Sequence, residues 1–224
     1  MPDYFSHGVI AEVIYEKLNS KYKKAITSKN LYLLGAQGGD VFFAYSIKPT
    51  KANLGRSLHR KDAVYLFGQL VQGDKSYAAG FATHYALDST LHPYIYAYEN
   101  TKRSPFAHTK FENDLGLYIS RKYGLRRQII PKDLVLACTS PVYDTMKRIE
   151  PLITVTGVER CLSRHFAYSR FLFRTKRQNY RCDYDFSKLS QTVESAVEYG
   201  IEAVTKVLEG DIDIQLFSKE FLQK

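Results

Sequence analysis

Apolar positions recur at helical spacing along most of the chain. In residues 6–18, SHGVIAEVIYEKL, the side chains Val9, Ile10, Val13, Ile14 and Leu18 form one stripe, with Ser6 as the expected N-cap. Ala63, Leu66, Phe67 and Leu70 mark a second helix within residues 54–70. Two further helices are predicted over 76–91 and 106–122, joined by a connection at 94–103. The first should end near His92, because Pro93 disfavours the α conformation in the residue before it. The second runs out in the basic segment RKYGLRR around Gly124. Residues 131–147 and 150–174 read as helices interrupted by Pro141 and Pro151, and residues 186–209 as a long amphipathic helix closed by Gly210. The stretch 31–46, LYLLGAQGGDVFFAYS, is apolar but broken by Gly35, Gly38 and Gly39, which permit close backbone approach. With helical period in nearly every segment and neither repeat nor linker, the expected fold class is all-α, a single multi-helix domain over residues 1–224.

Composition agrees with a packed domain. Hydrophobic residues make up 45%, and 18 Tyr with 13 Phe argue against disorder. The net charge of +9 favours anionic partners, whether phosphate groups, nucleic acid or acidic lipid headgroups. The N-terminus lacks a basic region followed by an apolar one, and no apolar run reaches the ~18 residues of a membrane span, so a cytoplasmic protein is expected. Cys138, Cys161 and Cys182 are odd in number and widely spaced, and they read as free thiols rather than as a zinc ribbon. Residues 160–181 hold seven Arg or Lys and no acid, with Phe166, Tyr168, Phe171, Phe173 and Tyr180 interleaved. This pattern suits either a phosphate-contacting surface with stacking aromatics or an amphipathic helix that buries Phe and solvates Arg. The second is the preferred reading.

The chemistry concentrates in residues 80–112. His84, Asp88 and His92 are spaced four apart, and His108 and Glu112 repeat the interval. On a helix such residues share a face, so each pair can enter one pocket. Imidazole nitrogens and carboxylate oxygens are ligands for zinc and related divalent ions. Asp40 follows the glycines in an apolar setting. It is either the cap of a helix beginning at Val41 or a carboxylate paired or bound to metal. His7 in a first helical turn and His59 among Arg56, Arg60 and Lys61 would ordinarily be solvated. His165 has no carboxylate at ligand-like spacing and is not counted.

Taken in order, His7, Asp40 in GAQGGDVFF, His59 in SLHR, H84-x3-D88-x3-H92 and H108-x3-E112 resemble the zinc-dependent phospholipase C family, an all-helical fold shared more distantly with S1/P1-type nucleases. The resemblance by motif covers about residues 1–120. It implies a cluster of two or three zinc ions: one held by Asp40, His59, His84 and Asp88, a second by His92, His108 and Glu112, a third by His7 with Asp88 bridging. Family members complete the third site with the processed N-terminal residue, usually a tryptophan. This chain has no Trp, and the expected substitute is the amine of Pro2 after removal of Met1. The implied reaction is hydrolysis of a phosphate ester, with Asp40 orienting or deprotonating the attacking water and a phospholipid headgroup as substrate. A soluble phosphodiester or single-stranded nucleic acid is the alternative substrate, and a non-catalytic zinc protein the alternative class. Tyr4, Phe42, Phe43 and Tyr85 are candidate pocket walls that would equally serve as core. A contiguous His-Asp pair is absent, which disfavours an HD-type phosphohydrolase.

Overall fold

The computed structural model describes residues 4–45, 53–102, 104, 106–125, 130–174, 179–183 and 185–218. Pro2, Lys176 and Arg177 lie outside these residues, as does the side chain of Arg174. The described residues hold eleven α-helices and no strand, so the fold is all-α. In chain order they are α1 (Tyr4–Lys17), α2 (Ser20–Ala25), α3 (Lys29–Gly35), α4 (Leu54–Leu58), α5 (Ala63–Leu70), α6 (Lys75–Thr101), α7 (Ala107–Tyr123), α8 (Lys132–Ala137), α9 (Thr139–Met146), α10 (Val155–Arg174) and α11 (Phe186–Glu209). A 3-10 segment, Gly38–Ala44, follows α3, and a last 3-10 turn covers Leu216–Ser218. None of the helices is long and apolar enough, among the described residues, to cross a membrane.

Helix α6 is the axis of the structure. It packs along α11 and α3, with α1, α5 and α7 also against it. The α3–α6 crossing is close because Gly35 and Gly80 face each other. A Cβ on Gly80 would lie 2.8 Å from the Ala36 nitrogen and 2.9 Å from the Gly35 Cα. Phe67, Phe81, Tyr85 and Phe217 form an aromatic line from α5 through α6 to the last turn, with Phe67 and Phe217 ring centroids 4.5 Å apart.

Several helix boundaries differ from the pattern-based expectation. Helix α6 does not end at His92. It continues through Pro93 to Thr101, so residues 94–101 are helix and not connection. Proline removes one backbone bond, a cost of about 3 kcal/mol in a helix interior. The second half is held by tertiary packing that periodicity does not reveal. Ile95 is buried, and Tyr94 and Tyr98 lie against Phe111 of α7 at 5.7 and 5.0 Å. Ser6 is not a cap: α1 begins at Tyr4, because Tyr4 and Phe5 are themselves buried. The 131–147 segment breaks at Cys138, while Pro141 sits in the first turn of α9, where a missing N–H costs little. Helix α10 starts only at Val155, after Thr154 Oγ1 accepts from the Gly157 nitrogen at 3.1 Å. It buries Val158, Cys161, Leu162, His165 and Ser169, whereas Tyr168 and Phe171 are exposed beside the arginines. Helix α11 and its closing Gly210 fall where the pattern put them.

Candidate metal centre

Five elements converge on one interior site. Helix α6 contributes His84, Asp88 and His92, successive turns of one face, all buried. Helix α1 brings His7, the 3-10 segment Asp40, the C-terminal end of α4 His59, and α7 His108 and Glu112. Asp40 is buried inside the 3-10 segment, so it is not the cap of a helix at Val41. His59 is buried despite its cationic sequence neighbours. Tyr4, Phe42 and Tyr85 belong to the core, and Phe43 lies 5.4 Å from the His59 ring.

Asp88 is the hub. Its Oδ2 lies 3.3 Å from His84 Nε2 and 3.7 Å from His59 Nε2, and its Oδ1 lies 3.3 Å from His7 Nε2 and 3.6 Å from His92 Nδ1. The carboxylate thus turns one oxygen to each half of the site. His59 Nε2 and His84 Nε2 are 3.2 Å apart, and Asp40 Oδ1 is 3.3 Å from His59 Nε2. Two zinc ligands at about 2.0–2.1 Å in tetrahedral array stand about 3.3 Å from each other. The observed separations have that size.

Three groups of ligand-type atoms each fall within 4.8 Å of one another: His7 with Asp40 and His84, His59 with His84 and Asp88, and His92 with His108 and Glu112. All eight residues singled out in the sequence are therefore together. His7, expected beside Asp88 alone, also stands within ligand-sharing distance of Asp40 and His84. The free cysteines Cys138, Cys161 and Cys182 join none of these groups.

The donor set fits a cation. His7 Nε2, Asp40 Oδ1, Asp88 Oδ2 and Glu112 Oε2 are buried and make no hydrogen bond among the described residues. Each unsatisfied buried polar atom costs roughly 1–3 kcal/mol, more when charged. Divalent ions held by the three groups would satisfy them. The protonation states point the same way. Burial pushes His84 down to about 3, keeping its ring neutral. Burial alone would raise the Asp88 and Asp40 carboxyls, but the surrounding histidines outweigh it and hold both below the usual carboxylate range. Burial likewise opposes charge on His7 and His59, yet contact with Asp88 and with Asp40 leaves both imidazoles raised.

Backbone and second-layer contacts orient the rings. His59 Nδ1 is 2.7 Å from the Gly55 carbonyl and His92 Nδ1 is 3.1 Å from the Asp88 carbonyl. Both contacts leave Nε2 for the site. His108 Nδ1 lies 3.1 Å from Glu99 Oε2, with its Nε2 2.8 Å from Glu112 Oε1. Glu99 was not legible as a site residue. It stands two helical turns beyond His92, a spacing that counts only once α6 is known to pass Pro93. The floor of the site is the backbone at Gly38 and Gly39. A Cβ on Gly39 would sit 2.7 Å from the His59 ring, and one on Gly38 would overlap His84.

Compared with known proteins, the chain matches the family described as zinc dependent phospholipase C over residues 6–153, a span that includes all eight residues and stops short of α10. Neither the curated proteins nor the solved structures contain a match to it.

Proposed function

The chain belongs to the zinc-dependent phospholipase C family, and on that premise we propose that it hydrolyses the phosphodiester of a phospholipid headgroup at a cluster of two or three zinc ions. Family and site together make it a metal-dependent hydrolase. Substrate, ion count and residue roles are the proposal. The observation that supports them best is the convergence of eight buried or half-buried side chains with Asp88 at their hub, among which His7 Nε2, Asp40 Oδ1, Asp88 Oδ2 and Glu112 Oε2 lack a hydrogen bond among the described residues.

In this reading Asp40, His59, His84 and Asp88 would hold one zinc, His92, His108 and Glu112 a second, and His7 with Asp88 a third. Zinc supplies Lewis acidity, making water nucleophilic near neutral pH and offsetting charge on phosphoryl oxygens. The protein's own part is positioning and proton transfer. The Gly55 and Asp88 carbonyls and the Glu99 carboxylate fix the ring orientations. Asp40 orients the attacking water and accepts its proton on a carboxylate oxygen. Buried Phe81, 5.8 Å from the His84 ring, and Leu87, which lines one cavity with His7, Asp88 and His92, give the site apolar neighbours, which strengthens charge interactions inside.

The test uses zinc-loaded protein on short-chain phosphatidylcholine, bis(p-nitrophenyl) phosphate and single-stranded DNA. The proposal expects phosphocholine release that disappears with chelator and in His84→Ala and Asp88→Asn. Turnover that survives exhaustive chelation overturns the metal mechanism. Cleavage of DNA without cleavage of phosphatidylcholine overturns the lipid assignment.

A further inference from the structure

A cleft of about 240 Å³ lies between the 3-10 segment and α10, with Asp40, Phe43, Arg164, His165 and Tyr168 among its walls. Of the eight candidate ligands, Asp40 is the one that lines it. The opposite wall belongs to α10, which begins after the residues the family match covers. Family membership therefore assigns nothing to it.

The α10 wall carries polar groups suited to an anion. Arg164 donates from Nη1 to the Ala44 carbonyl at 2.9 Å, which ties its guanidinium across to the 3-10 segment. A guanidinium has five N–H donors, and no carboxylate of the described residues forms an ion pair with Arg164. Its neighbour His165 is 7% exposed, and its Nε2 is buried without a hydrogen-bond partner among the described residues. Buried polar atoms are rarely left so, and an orphan of this kind beside a cleft calls for a ligand atom. The His165 ring is held 5.1 Å from Tyr4, and its backbone carbonyl accepts from Ser169 Oγ. Phe43 and the partly exposed Tyr168 add aromatic surface for the organic portion of an ester.

We propose that this cleft is where the phosphate ester meets the metal centre, with Arg164 and His165 holding its oxygens and Asp40 facing the reacting phosphorus. The inference rests on the hydrolase reading for its reaction, whereas phosphate binding tests it separately. Arginine matches phosphate oxygens in a planar, bidentate fashion that lysine does not reproduce. Tyr168 and Phe43 then contact the part of the substrate that distinguishes one ester from another.

Zinc-loaded wild type, Arg164→Ala, Arg164→Lys and His165→Gln are compared in three measurements: zinc content, Kd for inorganic phosphate by calorimetry, and kcat and KM on short-chain phosphatidylcholine. Loss of a hydrogen bond to a charged group should raise the phosphate Kd and KM about tenfold or more in Arg164→Ala and by less in His165→Gln, whose amide can still donate, with zinc content unchanged in both. Arg164→Lys should recover part of the loss. A wild-type phosphate Kd in Arg164→Ala overturns the proposal, and so does loss of zinc in His165→Gln, which would make that histidine part of the metal shell. Arg164-dependent phosphate binding in a protein that leaves phosphatidylcholine intact keeps the cleft and removes the lipid substrate. Efficient phosphatidylcholine turnover unaffected by Arg164→Ala does the reverse.

Discussion

Replacing Gly38 with alanine attacks the metal centre from its backbone side. Gly38 has φ +52°, a left-handed conformation that costs an L-residue about 1–2 kcal/mol. Its new Cβ would also overlap the His84 imidazole, standing 2.6 Å from the Nε2 atom that faces Asp88 and His59. His84 has little room to retreat. It is fully buried, with the rings of His7, His59 and Phe81 at 4.4, 5.3 and 5.8 Å. Overpacking of this kind costs about 1–3 kcal/mol. The two effects together should destabilise the protein by about 2–5 kcal/mol, a fall in Tm of about 10 °C for a chain of this length. They should also displace a histidine that two of the three ligand groups share. The assay is thermal unfolding in chelator, followed by zinc titration of the refolded protein. Gly68→Ala is the control, because nothing lies within 4 Å of its new Cβ and it sits inside α5. That change should be neutral or stabilising by up to about 1 kcal/mol. Wild-type Tm and wild-type zinc binding in Gly38→Ala would refute the claim that the glycine backbone forms the floor of the site.

Glu99→Ala should weaken zinc binding at the His92, His108 and Glu112 group by about 10–100-fold in a competition titration against a chelator, the usual effect of removing a histidine's orienting carboxylate; unchanged affinity would reduce Glu99 to a surface contact. Above about pH 7.5 His84 and His165, both lowered by burial, are neutral folded and unfolded and add no slope, and the depressed Asp40 and Asp88 matter only in acid. In that range His7, His59 and His108 are raised by carboxylate contacts that outweigh burial, so metal-free stability should fall as pH rises through their folded pKa values, whereas zinc, which displaces those protons, should stabilise increasingly. Melting curves whose zinc-dependent gap shrinks over that rise would contradict the assignment. Phe217→Ala removes a ring packed on Phe67 and Tyr85 and should cost about 3–5 kcal/mol in one unfolding transition if residues 1–224 are one domain; two separate transitions would count against that proposal.

The metal centre was the most legible part of the molecule because its spacing is local. Turn-by-turn repetition of His84, Asp88 and His92, and again of His108 and Glu112, is a property of one helix at a time. Gly38 and Gly39 were visible as points of close approach, though not what approaches them. The contacts that escaped are long-range. Helix α6 outlasts Pro93 because Tyr94 and Tyr98 meet Phe111 on another helix, and the position of Glu99 depends on that continuation. His165 carried no signal, since the groups that give it meaning, Tyr4 and Asp40, are contributed by the first quarter of the chain. Ser6 looked like a cap because a local rule cannot register that Tyr4 and Phe5 are buried ahead of it.

Zinc stoichiometry is the most direct test of the central claim that eight side chains, with Asp88 at their hub, form a multinuclear centre. Untagged protein, purified without chelator, is measured by elemental mass spectrometry alongside His84→Ala. The account predicts two or three zinc ions per chain, and fewer in the variant. Zero or one zinc in wild-type protein, or a count that His84→Ala leaves unchanged, would contradict it.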